Sequence, residues 1–258
     1  ILSFTWRHSF LRSRTANSYG NFKIIRKNAV LSGVGVNQTD ELAIVSLEYG
    51  FDAFDFKYSG VDLGWLKISQ GVDAFGANTD KSGRQGADDS RAPVKFKKIE
   101  ARIDRLQTIS NEQSLLITMS TQFSDDLLTS TEQMALGGMG SVRAYPVSEY
   151  LVDSGYFFSL EWIIKAPGIS KLPVAGTTWG QLLQYAIFFD AASGQRNDPL
   201  SNEVDSGIDS VSIRGIGFGV RLNVSGFTAN LDIATALSDD DPSNGKNSQV
   251  LLKIDYKM

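Results

Sequence analysis

Cysteine is absent from the chain, which excludes a disulfide framework and any thiolate-held metal. Histidine occurs once, at His8. A metal site or a Ser-His-acid triad would therefore rest on one imidazole, and a histidine at a strand end is the plainer reading. No run comes near the ~18 consecutive apolar residues of a membrane-crossing helix. That excludes a helical membrane protein but leaves a membrane barrel open, because lumen-facing residues dilute the hydropathy of each strand. Neither sign of charge dominates: 25 Lys and Arg stand against 29 Asp and Glu, a net charge of −4. With no basic face, nucleic acid is not expected as a partner. Proline is scarce at 6 residues, whereas glycine reaches 24 and phenylalanine 15. Many strands with glycine-rich turns fit this composition better than a helical bundle does.

What the chain does have is a period of two. Val45, Leu47, Tyr49, Phe51 and Ala53 alternate with Ser46, Glu48, Gly50 and Asp52. Ile99, Ala101 and Ile103 oppose Glu100, Arg102 and Asp104, and Ile216, Phe218, Val220 and Leu222 oppose Gly215, Gly217, Gly219, Arg221 and Asn223. The pattern predicts about eleven strands, most of roughly ten residues, near the ~9–11 that a tilted strand needs to cross a bilayer. Two of them, near 19–26 and 61–68, are weaker. Soluble strands average nearer ~5–6 residues. Connections alternate as well. Short links at 12–16, 57–60, 110–112 and 223–226 are separated by long polar ones at 27–41, 70–93, 125–154, 191–207 and 239–248. The link at 166–177 falls in a short slot. Brief inner turns and longer external loops are the habit of outer-membrane barrels. The expected fold is thus all-β, an antiparallel transmembrane β-barrel. Trp6, Trp65, Trp162 and Trp179, with Tyr156 and Tyr185, are candidates for its interfacial girdles, with isolated packing as the alternative. The last strand runs inward to Met258, so an odd count places Ile1, already inside a strand and with no signal peptide before it, on the outer side. Even strand numbers and inward termini then make residues 1–258 the C-terminal part of a larger barrel.

The long link 125–154 carries Leu136-Gly137-Gly138-Met139-Gly140-Ser141-Val142-Arg143-Ala144-Tyr145-Pro146. Gly137, Gly138 and Gly140 permit positive φ and close backbone approach, so the loop can fold back into a lumen. The cluster lacks the Lys-Ser/Thr of a phosphate-binding loop. An arginine in a confined lumen needs a partner. Parity turns Asp190 inward on the strand 181–190, close to its outer end, where carboxylate and guanidinium can meet in a fork. Glu161, inward on the adjoining strand, is the runner-up. The plain alternatives are a solvated Arg143 and an Asp190 that only ends a strand. Asp239, Asp240 and Asp241 form a solvated external loop by default, with Ca²⁺ binding as the other reading.

These residues resemble a known signature. Leu136-Gly137-Gly138 followed by Val142-Arg143-Ala144-Tyr145-Pro146 is similar to the motif of the two-partner secretion transporters (FhaC/ShlB/HecB-type, TpsB), relatives of the barrel-assembly insertase BamA. Glu149, Asp153 and Gly155 resemble the acidic-and-glycine continuation of that motif, and Phe188-Phe189-Asp190 its second motif. Most of the chain fits the resemblance, although only these two motifs are specific. It implies a sixteen-stranded outer-membrane barrel preceded by POTRA domains, of which this chain supplies about the last eleven strands. It also implies that 125–154 is the sixth external loop, folded into the pore and locked there by Arg143 on the wall residue Asp190. Two departures stand out. Ala144 occupies a position where the superfamily commonly has glycine, an alanine familiar in the secretion branch. Met258 ends the chain where such barrels commonly end in phenylalanine.

The function implied is export of a large unfolded polypeptide client from periplasm to cell surface, with no bond made or broken and neither cofactor nor metal required. Val142, Arg143, Ala144 and Tyr145 would form the loop lock, with Tyr145 packed beside Arg143 on the inner wall. Outer-membrane lipid and, during biogenesis, the barrel-assembly machinery are the other expected partners. An insertase of the BamA type, the translocator barrel of a fused surface enzyme and a plain diffusion porin are the competing readings; the Val-Arg-Ala-Tyr motif disfavours the last.

Overall fold

Alternating sequence becomes alternating exposure along long antiparallel strands. The computed structural model describes residues 1–33, 36–174, 176–238 and 240–256, the side chains of 31–37 excepted. Asp239 of the aspartate run and the terminal Met258 lie outside the described residues. In chain order the elements are β1 (Leu2–Arg12), β2 (Ala16–Gly33), β3 (Val36–Asp55), β4 (Gly60–Gly71), β5 (Asn78–Lys81), β6 (Lys97–Ser110), β7 (Gln113–Phe123), β8 (Met134–Leu136), β9 (Tyr150–Val152), β10 (Ser154–Lys165), β11 (Pro173–Val174), β12 (Thr177–Thr178), α1 (Trp179–Leu182), β13 (Leu183–Gln195), α2 (Ser201–Asp205), β14 (Ser210–Val224), β15 (Phe227–Ala236) and β16 (Ser248–Tyr256). Among the described residues, eleven strands form one wall in the order β1-β2-β3-β4-β6-β7-β10-β13-β14-β15-β16, with β5 added beside β3. Neighbours are antiparallel throughout. The shortest wall strand, β16, has 9 residues and the longest, β3, has 20, so each is long enough to cross a bilayer, for which ~9–11 tilted residues suffice.

The wall turns its apolar side outward. Leu47 and Leu252 are each 61% exposed, and Leu66, Ile68, Met119, Phe218 and Ile233 are exposed too, while Ser46, Ser69, Thr118 and Asp232 between or opposite them are buried. A two-layer sandwich would do the reverse and bury its aliphatic face. A continuous exposed belt of Leu, Ile and Phe on one face of a wall is a lipid-facing surface.

Four expectations are corrected by the fold. The link at 27–41 is not a loop: β2 and β3 stay paired from Ala16↔Ala53 to Gly33↔Val36, and the weak strand near 19–26 is the inner portion of an 18-residue strand. Alternation fades where Lys27-Asn28 and Asn37-Gln38-Thr39-Asp40 stand, yet backbone pairing needs no apolar side chains. Asp190 does not end its strand, which runs on through Ala191-Ala192-Ser193-Gly194 to Gln195. Trp65 shares the lumen face with Lys67 and lies under that ammonium, 5.5 Å from the ring centre, so it is no girdle residue. His8 sits inside β1, not at its end, stacked on Trp6 and edge-on to Phe10.

The inner face is not uniformly wet either. Phe157, Phe188, Ala192, Val211, Ile213 and Ala234 from the wall close over Leu136, Val142, Ala144 and Tyr145 from the long link, forming the largest buried apolar cluster of the described residues. The folded core of this molecule therefore lies inside the wall, around the signature segment.

Candidate functional site

The segment between β7 and β10 is built as a narrow hairpin whose tip touches the wall. Its arms are the paired strands β8 and β9. Above them Gly137 and Gly138 take φ of 102° and 86°. A Cβ on Gly137 would collide with the Pro146 carbonyl oxygen, and one on Gly138 would sit 2.9 Å from Val147 Cα. Both glycines are thus required by handedness and by crowding. The Gly138 amide donates to the Tyr145 carbonyl at 3.0 Å, and the Tyr145 amide to that of Val142 at 3.2 Å. These bonds close a tight turn that projects Arg143 sideways. Gly140 differs: its φ is not positive and a methyl group there would meet nothing within 4 Å, so the expectation of a conformational role for Gly140 is corrected.

Arg143 reaches both predicted carboxylates at once. Its Nε donates to Asp190 Oδ2 at 2.8 Å and its Nη2 to Oδ1 at 2.9 Å, a two-point fork. Its backbone amide adds a third bond to Oδ2 at 3.1 Å. Nη1 donates to Glu161 Oε2 at 2.6 Å. The two acids are partners together rather than alternatives. Asp190 has no exposed surface and also accepts from the Ser159 hydroxyl at 2.7 Å. Phe188, two residues before Asp190 on the same face, places its ring centre 3.3 Å from the guanidinium carbon, within range of a cation–π contact. Burial alone would lower the Arg143 pKa. The hydrogen bonds and charge of Asp190, then those of Glu161, outweigh it and raise the pKa above its ordinary value.

Parity places Arg221 and Asp232 on the inner, polar faces of β14 and β15 without giving them a role. Arg221 donates to Glu161 Oε1 at 3.1 Å and to Asp232 Oδ1 at 2.6 Å, and Asp232 Oδ2 lies 3.8 Å from Arg143 Nη1. Asp190, Arg143, Glu161, Arg221 and Asp232 form an alternating chain of charge across β10, β13, β14 and β15. The signal that would have found them is two opposite charges at inward positions of adjacent strands, offset diagonally by two residues: Arg221 faces Asn230 and Asp232 faces Gly219. Gly215 escapes sequence reasoning as well: a methyl there would come within 2.6 Å of the Ala144 Cβ. Its bareness makes room for the alanine that replaces the superfamily's common glycine.

The remaining motif residues fix the segment's flanks. The Tyr145 ring is fully buried in the apolar cluster and its hydroxyl donates to the Asp240 carbonyl at 2.9 Å. Glu149 accepts from the Ser243 amide and hydroxyl at 2.6 and 2.8 Å. Asp153 is buried and accepts from the amides of Leu128 and Asn197 at 3.1 and 2.8 Å. A Cβ at Gly155 would press on the Ser193 carbonyl at 2.8 Å. With each charge facing a counter-charge, the site is suited to holding a segment in place rather than to proton transfer.

The model of the haemolysin secretion/activation protein family ShlB/FhaC/HecB matches residues 2–193. The chain belongs to this family. Its curated relatives include the "Heme/hemopexin transporter protein HuxB" of Haemophilus influenzae, 22% identical over 205 residues in strain 86-028NP. That alignment takes in 76% of this chain and 34% of HuxB, so the chain spans about a third of the length of the curated relatives it matches. Among solved structures, CdiB from Escherichia coli superposes with a TM-score of 0.75 at 16% identity, covering 98% of this chain and 44% of CdiB. CdiB from Acinetobacter baumannii gives 0.63 at 13% identity, over 97% of this chain and 40% of that one. BamA from Haemophilus ducreyi, lacking POTRA domains 1–3, gives 0.53 at 10% identity, over 98% of this chain and 61% of BamA. These likenesses establish the fold, that of outer-membrane barrels, and the outer membrane is where this wall resides.

Proposed function

We propose that the whole protein exports a large unfolded partner polypeptide from periplasm to cell surface, and that residues 1–258 are the C-terminal part of its sixteen-stranded barrel, with further strands and POTRA domains upstream. Residues 125–154 act as an in-folded plug. Arg143 is its lock, Asp190 and Glu161 are the wall partners, and Val142, Ala144 and Tyr145 seat it. The observation that carries this reading is the buried fork of Arg143 on Asp190 and Glu161 inside a wall whose outer face is apolar. A salt bridge of this kind is a poor device for stability alone, since well-packed apolar residues do as well; it suits a contact that must form in one register and be released. The client of this chain is a secreted protein of the haemolysin or adhesin type, and the name of the HuxB relatives, a heme/hemopexin transporter, adds a partner linked to haem or hemopexin to the candidates. No bond is made or broken. Folding of the client outside the cell supplies the driving force.

The test is secretion of the cognate partner by full-length protein carrying Arg143→Ala or Asp190→Ala. Removing one member of a buried pair strands its partners at a cost of about 3–5 kcal/mol. Secretion is expected to fall by roughly tenfold or more while the barrel stays folded by heat-modifiable migration. Normal secretion by both variants would overturn the lock.

A further inference from the structure

The in-folded segment meets the wall a second time, on another arc. Glu132, at the root of the hairpin, is 5% exposed. Lys27 of β2 donates to its Oε1 at 2.5 Å and to the Thr131 carbonyl at 3.0 Å. Lys98 of β6 approaches its Oε2 at 3.0 Å and donates to its carbonyl oxygen at 3.0 Å. From β7, the buried Gln122 amide donates to the same carbonyl and to that of Asp153, both at 3.1 Å, tying the two roots of the segment together. Beside this contact lies a lumen cavity of about 460 Å³ lined by Lys23, Lys67, Arg102, Thr131 and Glu132. The root thus walls off open space on the β2–β6 side. No residue of this cluster belongs to the Arg143 chain, and its polarity is opposite: an acid of the segment on bases of the wall, where Arg143 is a base on acids.

We propose that Glu132 is a second latch of the segment, an anion clamped between Lys27 and Lys98, closing the β2–β6 side of the lumen independently of Arg143. The inference rests on the reading of the segment as a plug in a conducting pore. Without the carboxylate, the buried Lys98 and the half-buried Lys27 are left as neighbouring cations, with Glu100, 3.5 Å from Lys98, as the remaining acid paired with them among the described residues. The root is then repelled from that arc while Arg143 stays seated.

Single-channel recording of the full-length protein without client tests this. The isosteric Glu132→Gln should raise the time spent in conducting states by roughly tenfold or more, as expected when buried charges lose their partner. Lys98→Gln should open the pore too, and the Glu132→Gln/Lys98→Gln double variant should add little beyond either single change, because both remove one interaction. Combined with Arg143→Ala, Glu132→Gln should act additively. Should Glu132→Gln fail to assemble a heat-modifiable barrel, the same comparison is made with Lys27→Gln and Lys98→Gln. Parent-like conductance in Glu132→Gln beside an open Arg143→Ala would overturn the second latch alone. Parent-like conductance in both variants would instead bring down the plugged-pore reading, and the latch with it. Full additivity between Glu132→Gln and Lys98→Gln would also refute the clamp.

Discussion

One methyl group decides how close the signature segment can come to the wall. Ala144 and Gly215 face each other so tightly that a second Cβ would meet the first at 2.6 Å. The pair behaves as a single unit of volume, with alanine on the segment and nothing on β14. Gly215→Ala should therefore unseat the tip, an overpacking cost of about 1–3 kcal/mol. It should increase proteolytic cleavage of residues 137–149 in the assembled protein. Ala144→Gly in the same molecule should restore protection, because it returns the missing space. If the double variant is cleaved as fast as Gly215→Ala alone, the contact is not what limits docking. Gly217, two residues further along β14, makes room in the same way: a methyl there would collide with the Phe188 ring that backs Arg143.

At the scale of elements, the external links hold one another down. Arg84, in the link between β4 and β6, donates to Glu203 Oε1 and Oε2 on α2 at 3.1 and 3.0 Å and to the Asn197 carbonyl at 3.0 Å. Arg196 donates to Glu203 from the other side at 2.6 Å. Burial would raise the Glu203 pKa, but the Leu200 amide and the two arginines outweigh it and hold the carboxyl below its ordinary value. Arg84→Ala should detach the 72–96 link from α2 and make it a site of limited proteolysis, with wall strands still protected. Unchanged cleavage would show that the link is held by other contacts. This cross-link is not legible in the sequence, because its partners lie far apart in the chain and carry no periodicity. The wall is legible, because parity reports which side each residue faces. Parity finds Asp190 and Glu161 and places Arg221 and Asp232 inward, but it cannot say that the two acids act together or that Arg221 joins them. It fails on the β2–β3 hairpin and on the last residues of β13, where Lys27-Asn28 and Ala191-Ala192-Ser193 carry pairing without alternation. It also has no means of seeing Glu132, whose partners Lys27 and Lys98 belong to strands separated by the intervening hairpin arms.

Across the whole molecule, the plug meets opposite charges at its two contacts. Glu161, Asp190 and Asp232 on β10, β13 and β15 surround Arg143, with Arg221 among them, whereas Lys27 and Lys98 on β2 and β6 clamp Glu132; Lys23 and Lys67 on that arc are paired instead with Glu48 and Glu100 of the wall. The plug carries the complement at each contact, Arg143 toward acids and Glu132 toward bases. The two latches respond differently to pH. Arg143 has its pKa raised and keeps its charge as pH climbs. For Glu132, burial raises the pKa, yet the charges and hydrogen bonds of Lys98 and Lys27 outweigh it and the result is lowered. A lowered carboxyl contributes its full stabilisation above its ordinary value and loses it only as pH falls through the lowered one. Lys27, Lys98 and Glu100 are the charged groups facing it. Asp153 runs the other way: burial pushes its carboxyl up, against the Asn197 amide and the charge of Arg84, so protonating it favours the folded form. The plug should accordingly stay closed from about pH 8 down to about pH 5 and release only below the usual glutamate range near ~4.3. Glu132→Gln should abolish that acid-induced opening, being open already. Channel recording of full-length protein over a pH series measures both, and onset of opening near pH ~6, above the ordinary range of a carboxylate, would assign the pH-sensitive contact to a group other than Glu132.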